Sequence, residues 1–292
     1  LYVRGLKYLA ASQQPEGTWS DSSGDYPGVV GIATLAFLAH GEDPNYGPYA
    51  TQIKRCIDYL IKAQKSENGY IGTSMYNHGF ATLALAEAYG VVDDDRLEKA
   101  LQKAVDLILS AQQRNPKGGW RYSPDSKDAD TTVSGCQIVS LLAARNAGIP
   151  IPDTAIERAL KYMTSCRSAD GGYGYTSRGG TKTTLTAIGS LCYSLAKQKD
   201  AAGFQESLDY LKRNIDYRDP HYTYYFEYYM SQALFHADQE LWERWNEKNI
   251  RLLTATQQSD GSWSGNRGPA YSTASALLSI ALNYRYLPIY EK

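Results

Sequence analysis

Tyrosine marks this sequence. The 292 residues include 25 Tyr against 5 Phe, and a ring with a polar tip suits a surface that is apolar yet wet. Many of these tyrosines stand beside charged side chains in short polar stretches. Tyr26 follows Asp25; Tyr76 precedes His78; Arg121 lies upstream of Asp128 and Asp130. Further along come Arg178 and Lys182, then His221, Tyr222, Tyr224, Tyr225 and Glu227, then Arg267 and Tyr271. Brought to one place, such a set forms a concave polar–aromatic pocket. Ring faces stack on sugars or cover alkyl chains, and guanidinium groups hold carboxylate, phosphate or sulfate. Taken singly, each residue has a plainer reading: loop Tyr and Arg are solvated or capping, and Arg121, Arg178 and Arg267 pair with acidic loops. Half of the run from Tyr222 to Tyr229 belongs to a core by helical spacing.

The elements that would gather these residues follow from an internal repeat. Five segments carry a helical pair of large side chains, then a Gln, then a Gly and an aromatic. They are Tyr8-Leu9 with Gln13, Gly17 and Trp19; Tyr59-Leu60 with Gln64, Gly69 and Tyr70; and Leu107-Ile108 with Gln112, Gly118 and Trp120. Tyr162-Met163 follows with Arg167, Gly171 and Tyr173, and Leu252-Leu253 with Gln257, Gly261 and Trp263. The spacing is about 50 residues, and the gap between positions 173 and 263 holds a degenerate fifth unit from Ser207 through Tyr222 to His236. Six units result.

Each Gly-aromatic turn leads through a polar loop into a second helix that is apolar on most of its circumference, such as Gly31 to Leu38 or Gly79 to Ala86. These second helices are expected to be buried, and the first helices, charged on one face, to lie outside. Gly41, Gly90 and Gly148 stand where left-handed caps would end the inner helices. A hairpin cannot bury its apolar face alone, and neither end of the array carries a polar capping unit. Closure is the better solution. The expected fold is therefore all-α, an (α/α)6 toroid of six hairpins spanning residues 1–292 as one domain. Its polar loops converge on one mouth.

Composition removes several classes. A formal net charge of −1 argues against a nucleic-acid partner, and no apolar run approaches the roughly 20 residues of a membrane span. The four cysteines, Cys56, Cys136, Cys166 and Cys192, fall in apolar helical patterns without C-x-x-C spacing and read as small core residues. The chain starts at Leu1 within a helical pattern, so a trimmed N-terminus, and with it an exported protein, is one expectation. The compartment stays open.

The stretch Arg4-Gly5-x-x-Tyr8-Leu9 to Gln13, Gly17 and Trp19 resembles the QW motif of squalene-hopene and oxidosqualene cyclases. More broadly, the repeat is similar to that of protein prenyltransferase β subunits. The resemblance covers essentially the whole chain and implies the toroid. In class II terpene cyclases an acidic Asp in a D-x-D-D-T motif protonates an alkene at the start of an inner helix. Asp128-Ala129-Asp130-Thr131-Thr132 resembles that motif, with Thr131 in place of the third Asp. The resemblance implies Asp130 as proton donor and Asp128 as its partner, acting on a prenyl lipid without a cofactor. The plainer reading is a helix N-cap. Prenyltransferases hold a catalytic zinc, but Ser134 and Ser272 stand where its Asp and His are expected, so no metal site is read here.

Two other readings remain. α/α toroids also serve glycoside hydrolases and polysaccharide lyases, where His78, a Tyr and an Arg would act as base, acid and neutraliser on a glycan. The third is a non-catalytic interaction module. The Cys-Gly-Glu-Gln sequence of thioester domains is absent, since Cys136 is followed by Gln137-Ile138. The cavity walls discriminate: a closed apolar pocket with Asp130 at its end favours the cyclase, an open Tyr- and Arg-lined cleft the glycan, and a plugged ring the module.

Overall fold

A computed structural model describes residues 1–21 and 26–291; Asp25, named above, lies outside the described residues. Among the described residues twelve α-helices alternate between an outer and an inner layer. The outer helices are α1 (Tyr2–Ser12), α3 (Ala50–Ala63), α5 (Leu97–Arg114), α7 (Asp153–Cys166), α9 (Phe204–Arg213) and α11 (Gln239–Thr256). The inner helices are α2 (Pro27–Leu38), α4 (Met75–Ala88), α6 (Thr131–Asn146), α8 (Thr183–Leu195), α10 (Thr223–Ala237) and α12 (Pro269–Ala281). Each inner helix packs on the next, and α12 packs on α2, so the ring is closed.

The layers follow from side-chain pattern. In α3 the buried residues are Ile53, Cys56, Ile57 and Leu60, one stripe at helical spacing that faces inward. Every residue of α2 is buried, because it has outer helices on one side and inner neighbours on the others. Small residues permit that density. A Cβ on Gly31 would stand 2.6 Å from the Phe80 carbonyl oxygen, so α2 and α4 touch backbone to backbone there.

The repeat motif is a clamp between neighbouring hairpins. The indole N–H groups of Trp19, Trp120 and Trp263 donate to the carbonyls of Leu9, Ile108 and Leu253, folding each turn onto its own outer helix. The Gln side chain reaches outward instead. Gln64 donates to Ala100 O (2.8 Å) and Gln112 to Ala155 O (2.9 Å), each the start of the next outer helix. Gln257 donates to Leu1 O (3.1 Å), which carries the same bond across the seam between the last and first hairpins. The motif glycine is required by two facts at once. Gly17 has φ 95°, and its Cβ would stand 2.3 Å from Arg55 O. The expected left-handed positions at Gly41, Gly90 and Gly148 have φ of 84°, 87° and 93°.

The fifth hairpin lacks the clamp. In place of a Gly-aromatic turn, Arg218 lies over the Trp245 ring at 5.5 Å. The far end of the ring is filled as well. Leu287, Ile289 and Tyr290 are buried, the Pro288–Tyr290 turn packs on α6, and Ile289 N donates to Glu87 near the end of α4 (3.3 Å). Higher up, Tyr225, Tyr228 and Tyr229 pack edge to face at 4.9 Å, and Phe80 meets Tyr228 at 6.2 Å. The lumen is therefore a bowl with a stacked aromatic base.

Candidate functional site

The bowl opens at the N-terminal ends of the inner helices, where the polar loops meet. Its volume is about 620 Å³. Six hydrogen bonds lace adjacent loops into a closed rim. Gly28 N meets Asn77 Oδ1 (3.1 Å), Met75 N meets Tyr122 O (2.8 Å), and Thr131 N meets Tyr175 O (2.8 Å). Thr184 Oγ1 then donates to Asp219 Oδ2 (3.1 Å), Asn266 Nδ2 to His221 O (2.8 Å), and Ala270 N to Asp21 Oδ2 (2.6 Å).

Each hairpin contributes tyrosine to the wall: Tyr26, Tyr76, Tyr122, Tyr175, Tyr222 with Tyr225, and Tyr271 in chain order. Val29, Ile32, Phe80 and Leu185 form the apolar floor. The charged side chains of the lining are Lys182, Arg267 and Asp219. Asp219 is already engaged, since its Oδ1 accepts from His221 N and Tyr222 N (3.0 and 2.9 Å) and its Oδ2 from Thr184. Lys182 and Arg267 are the cations of this lining. A side pocket of about 200 Å³ branches off between the fifth and sixth hairpins, lined by His221, Tyr224, Gly265 and Ser272 and sharing Tyr222, Tyr225, Arg267 and Tyr271 with the bowl.

Asp130 sits behind this wall. Its side chain is fully buried and caps α6: Oδ1 accepts from Thr132 N (2.9 Å), Val133 N (2.8 Å) and Thr132 Oγ1 (2.5 Å). The other oxygen, Oδ2, has no hydrogen-bond partner, and Arg121 Nε stands 3.7 Å away. Burial pushes the carboxyl above the ordinary carboxylate range, against the lowering influence of Thr132, the Val133 amide and Arg121. Thr132 and Tyr76 both line the bowl, and the Tyr76 and Tyr225 hydroxyls meet at 3.2 Å. Asp128 is different. It is mostly exposed and pairs with Arg121 at 2.9 Å, while the guanidinium lies over Tyr122 and Tyr175 at 5.4 and 5.5 Å.

Of the other residues singled out from sequence, Tyr26, Tyr76, Lys182, Tyr222, Arg267 and Tyr271 line the bowl, and His221 and Tyr224 line the side pocket. Arg121 stands behind the tyrosines. Arg178 is exposed and belongs to neither cavity. His78 is fully buried in the wall. Its Nδ1 accepts from Ile71 N (3.1 Å), its Nε2 meets Ala104 O (2.9 Å), and burial lowers it to about 4. It therefore joins the second hairpin's turn to α5, a structural duty that leaves it no route to a ligand. Glu227 is also buried, away from both linings.

Tyr122 and Tyr175 were not singled out from sequence. Each lies two residues beyond the motif aromatic, Trp120 and Tyr173. Both stand in the loops between the motif aromatic and the next inner helix, and that place is the signal that would have found them. The apolar floor residues belong to the same helical pattern as the core and carry no such mark. Among the described residues no group of His, Cys, Asp and Glu is placed to hold a metal ion, and the four cysteines are buried and unpaired. No helix of the described residues is long and apolar enough to cross a membrane.

A family model, the prenyltransferase alpha-alpha toroid domain, matches residues 28–218, more than half of the chain. The chain belongs to this family. Among curated proteins, a lanosterol synthase of Aspergillus fumigatus is 28% identical over 135 residues, covering 40% of this chain and 16% of that protein. This toroid thus matches only a small part of that relative's length. Among solved structures, the type II terpene cyclase MstE from Scytonema superposes with a TM-score of 0.66 at 14% identity, covering 98% of this chain and 97% of that one. The GH76A alpha-1,6-mannanase from a Salegentibacter species superposes with a TM-score of 0.69 at 10% identity, covering 96% and 97%. At such identities the likeness is one of fold, and the toroid hosts different chemistries in these neighbours.

Proposed function

We propose that this toroid binds a small amphiphile of the prenyl-lipid class, with its apolar body on the floor of the bowl and its polar head at the rim beside Lys182 and Arg267. The observation that carries this reading is the polarity gradient. Ile32 and Phe80 lie about a helical turn deeper than Tyr76, Tyr225 and Tyr271, and Lys182 and Arg267 stand before their helices at the rim. A volume of about 620 Å³ suits one such molecule, since ligand pockets run about 300–1,000 Å³. A bowl with one mouth suits a molecule with an end rather than a polymer passing through. The cyclase MstE has been solved with geranylgeranyl dihydroxybenzoate as substrate, a molecule of this general build.

The glycan reading has less support. Glycoside hydrolysis uses two carboxylates about 5–9.5 Å apart across the bond. Among the described residues Asp219 is the one carboxylate of the bowl's lining, and both its oxygens are engaged. The lyase version needs a free base, and both nitrogens of His78 are occupied.

For the reaction, Asp130 is the proton source. Burial favours its neutral form, and Thr132, whose hydroxyl donates to Asp130 Oδ1, lines the bowl. Protonation of a substrate alkene would create a carbocation that closes a ring and then gives up a proton. Asp128 serves by holding Arg121 in place.

The test is a binding panel of geranylgeraniol, a prenylated hydroxybenzoate and mannotetraose, read by calorimetry, with products followed by mass spectrometry. Binding of the prenyl compounds alone is expected. Binding of the oligosaccharide alone would overturn the proposal. Asp130→Asn keeps a good cap residue, so it should fold and bind while turnover falls at least about 100-fold, in line with general acid catalysis. Undiminished turnover in that variant would remove Asp130 as the acid.

A further inference from the structure

The side pocket between the fifth and sixth hairpins has features that the bowl does not explain. The Ser272 hydroxyl is buried, lines this pocket and has no hydrogen-bond partner. A buried hydroxyl without a partner is costly, so its presence on a cavity wall points to a group that fills the space. Arg267 stands where pocket and bowl meet and lines both. No carboxylate of the described residues lies within 4 Å of its guanidinium, which instead lies over the Tyr222 ring at 5.7 Å. Stacking holds the plane and leaves the N–H edges for another acceptor.

The frame around these two groups is fixed in advance. Asp219 accepts from the amides of His221 and Tyr222, Asn266 ties the sixth loop to His221 O, and Gly268 N closes a turn on Gly265 O (3.1 Å). Gly265 keeps the pocket open. A Cβ there would stand 2.8 Å from Ser272 Oγ and 3.2 Å from the Tyr224 ring.

From these observations we infer that the side pocket is a carboxylate subsite, in which Arg267 and the Ser272 hydroxyl hold the acidic end of a ligand whose body lies in the bowl. The inference rests on the bowl being a ligand site. A carboxylate fits the donors: a planar guanidinium edge matches its two oxygens, and a single hydroxyl can complete one of them. Two sources share this chemistry, an aromatic acid such as the head of a lipid and a sugar acid. A ligand bearing neither would leave Ser272 unpaired and is expected to bind more weakly.

The experiment titrates the protein with 4-hydroxybenzoate and with glucuronate, each beside its neutral counterpart, 4-hydroxybenzyl alcohol and glucose, by saturation-transfer NMR. Geranylgeraniol is titrated in parallel to report on the bowl alone. At least one acid should bind about 10-fold or more tightly than its neutral counterpart, the scale of a charge-assisted pair. That preference should vanish in Arg267→Ala, with the melting temperature unchanged, and fall in Gly265→Ala. Equal binding of acid and neutral probe, survival of the preference without Arg267, or no acid binding at all would overturn the subsite. If geranylgeraniol still binds in that event, the bowl reading stands alone. If glucuronate is the one acid that binds and geranylgeraniol does not, the subsite holds and the lipid reading falls.

Discussion

Glu87 and Glu227 each stand in the folded ring at about 8, raised by burial, whereas a free Glu titrates near about 4.3. Between those pH values the unfolded chain has released protons that the folded chain retains, so each glutamate lowers stability as pH rises through that window. Glu227→Gln removes its share. The variant should match the parent near pH 4 and exceed it near pH 8 by about 1–3 kcal/mol, the range for an unpaired buried polar group; denaturant midpoints at both pH values would measure this. A constant difference across that range would contradict the placement of Glu227. At this scale the sequence was partly legible. Tyr, Lys and Arg in loops before apolar helices marked much of the lining, because the repeat places those loops at one end. The sequence around Asp130 fits both an acid and a cap, and its geometry is that of a cap with one oxygen left over. His78 looked equally available in sequence. Its fate depended on Ile71 N and Ala104 O, backbone groups that a side-chain pattern does not display.

At the scale of the element, the Gln-Gly-aromatic turn was legible as a repeat and its purpose became clear in the hydrogen bonds. Gln112 donates both to Gly118 O and to Ala155 O, at 2.8 and 2.9 Å, and is buried. Gln112→Ala should therefore cost about 1–3 kcal/mol by removing both bonds and opening space between α5 and α7. Thermal melts would show this, and an exposed change such as Lys99→Ala should leave the melting point within error. The fourth hairpin shows that the clamp tolerates variation. Arg167 replaces Gln and reaches the start of α9 so closely that a Cβ on Gly203 would meet its guanidinium carbon at 2.1 Å. The fifth hairpin carries no motif at all, and its helices were placed by counting periods. Its inner helix α10 is held by α8, α11 and α12, and its outer helix α9 packs on α8, a constraint that comes from neighbours.

For the whole molecule, closure is the property that matters most. Gln257 donates to Leu1 O, Arg4 donates to the carbonyls of Gln258 (2.8 Å) and Ser259 (3.1 Å), and α12 packs on α2. A ring has no free end from which to unfold, unlike an open array whose terminal repeats fray. Equilibrium unfolding should therefore be a single transition by every probe. Arg4→Ala combined with Gln257→Ala should open the seam and raise amide exchange in α1 and α11 ahead of the rest. Uniform exchange in that double variant would argue against a seam. The sequence by itself determined the helix count, the two layers, the closure and the end of the ring that carries the polar loops. These rest on local periodicity and on the need of each hairpin for a neighbour. Only the tertiary structure decided that the lumen is a bowl with an aromatic base, that Asp130 lies one hydroxyl behind its wall, and that a side pocket opens at Arg267. The depth of a cavity depends on which of many similar apolar side chains happen to meet at its centre, and that is set by packing among all six hairpins at once.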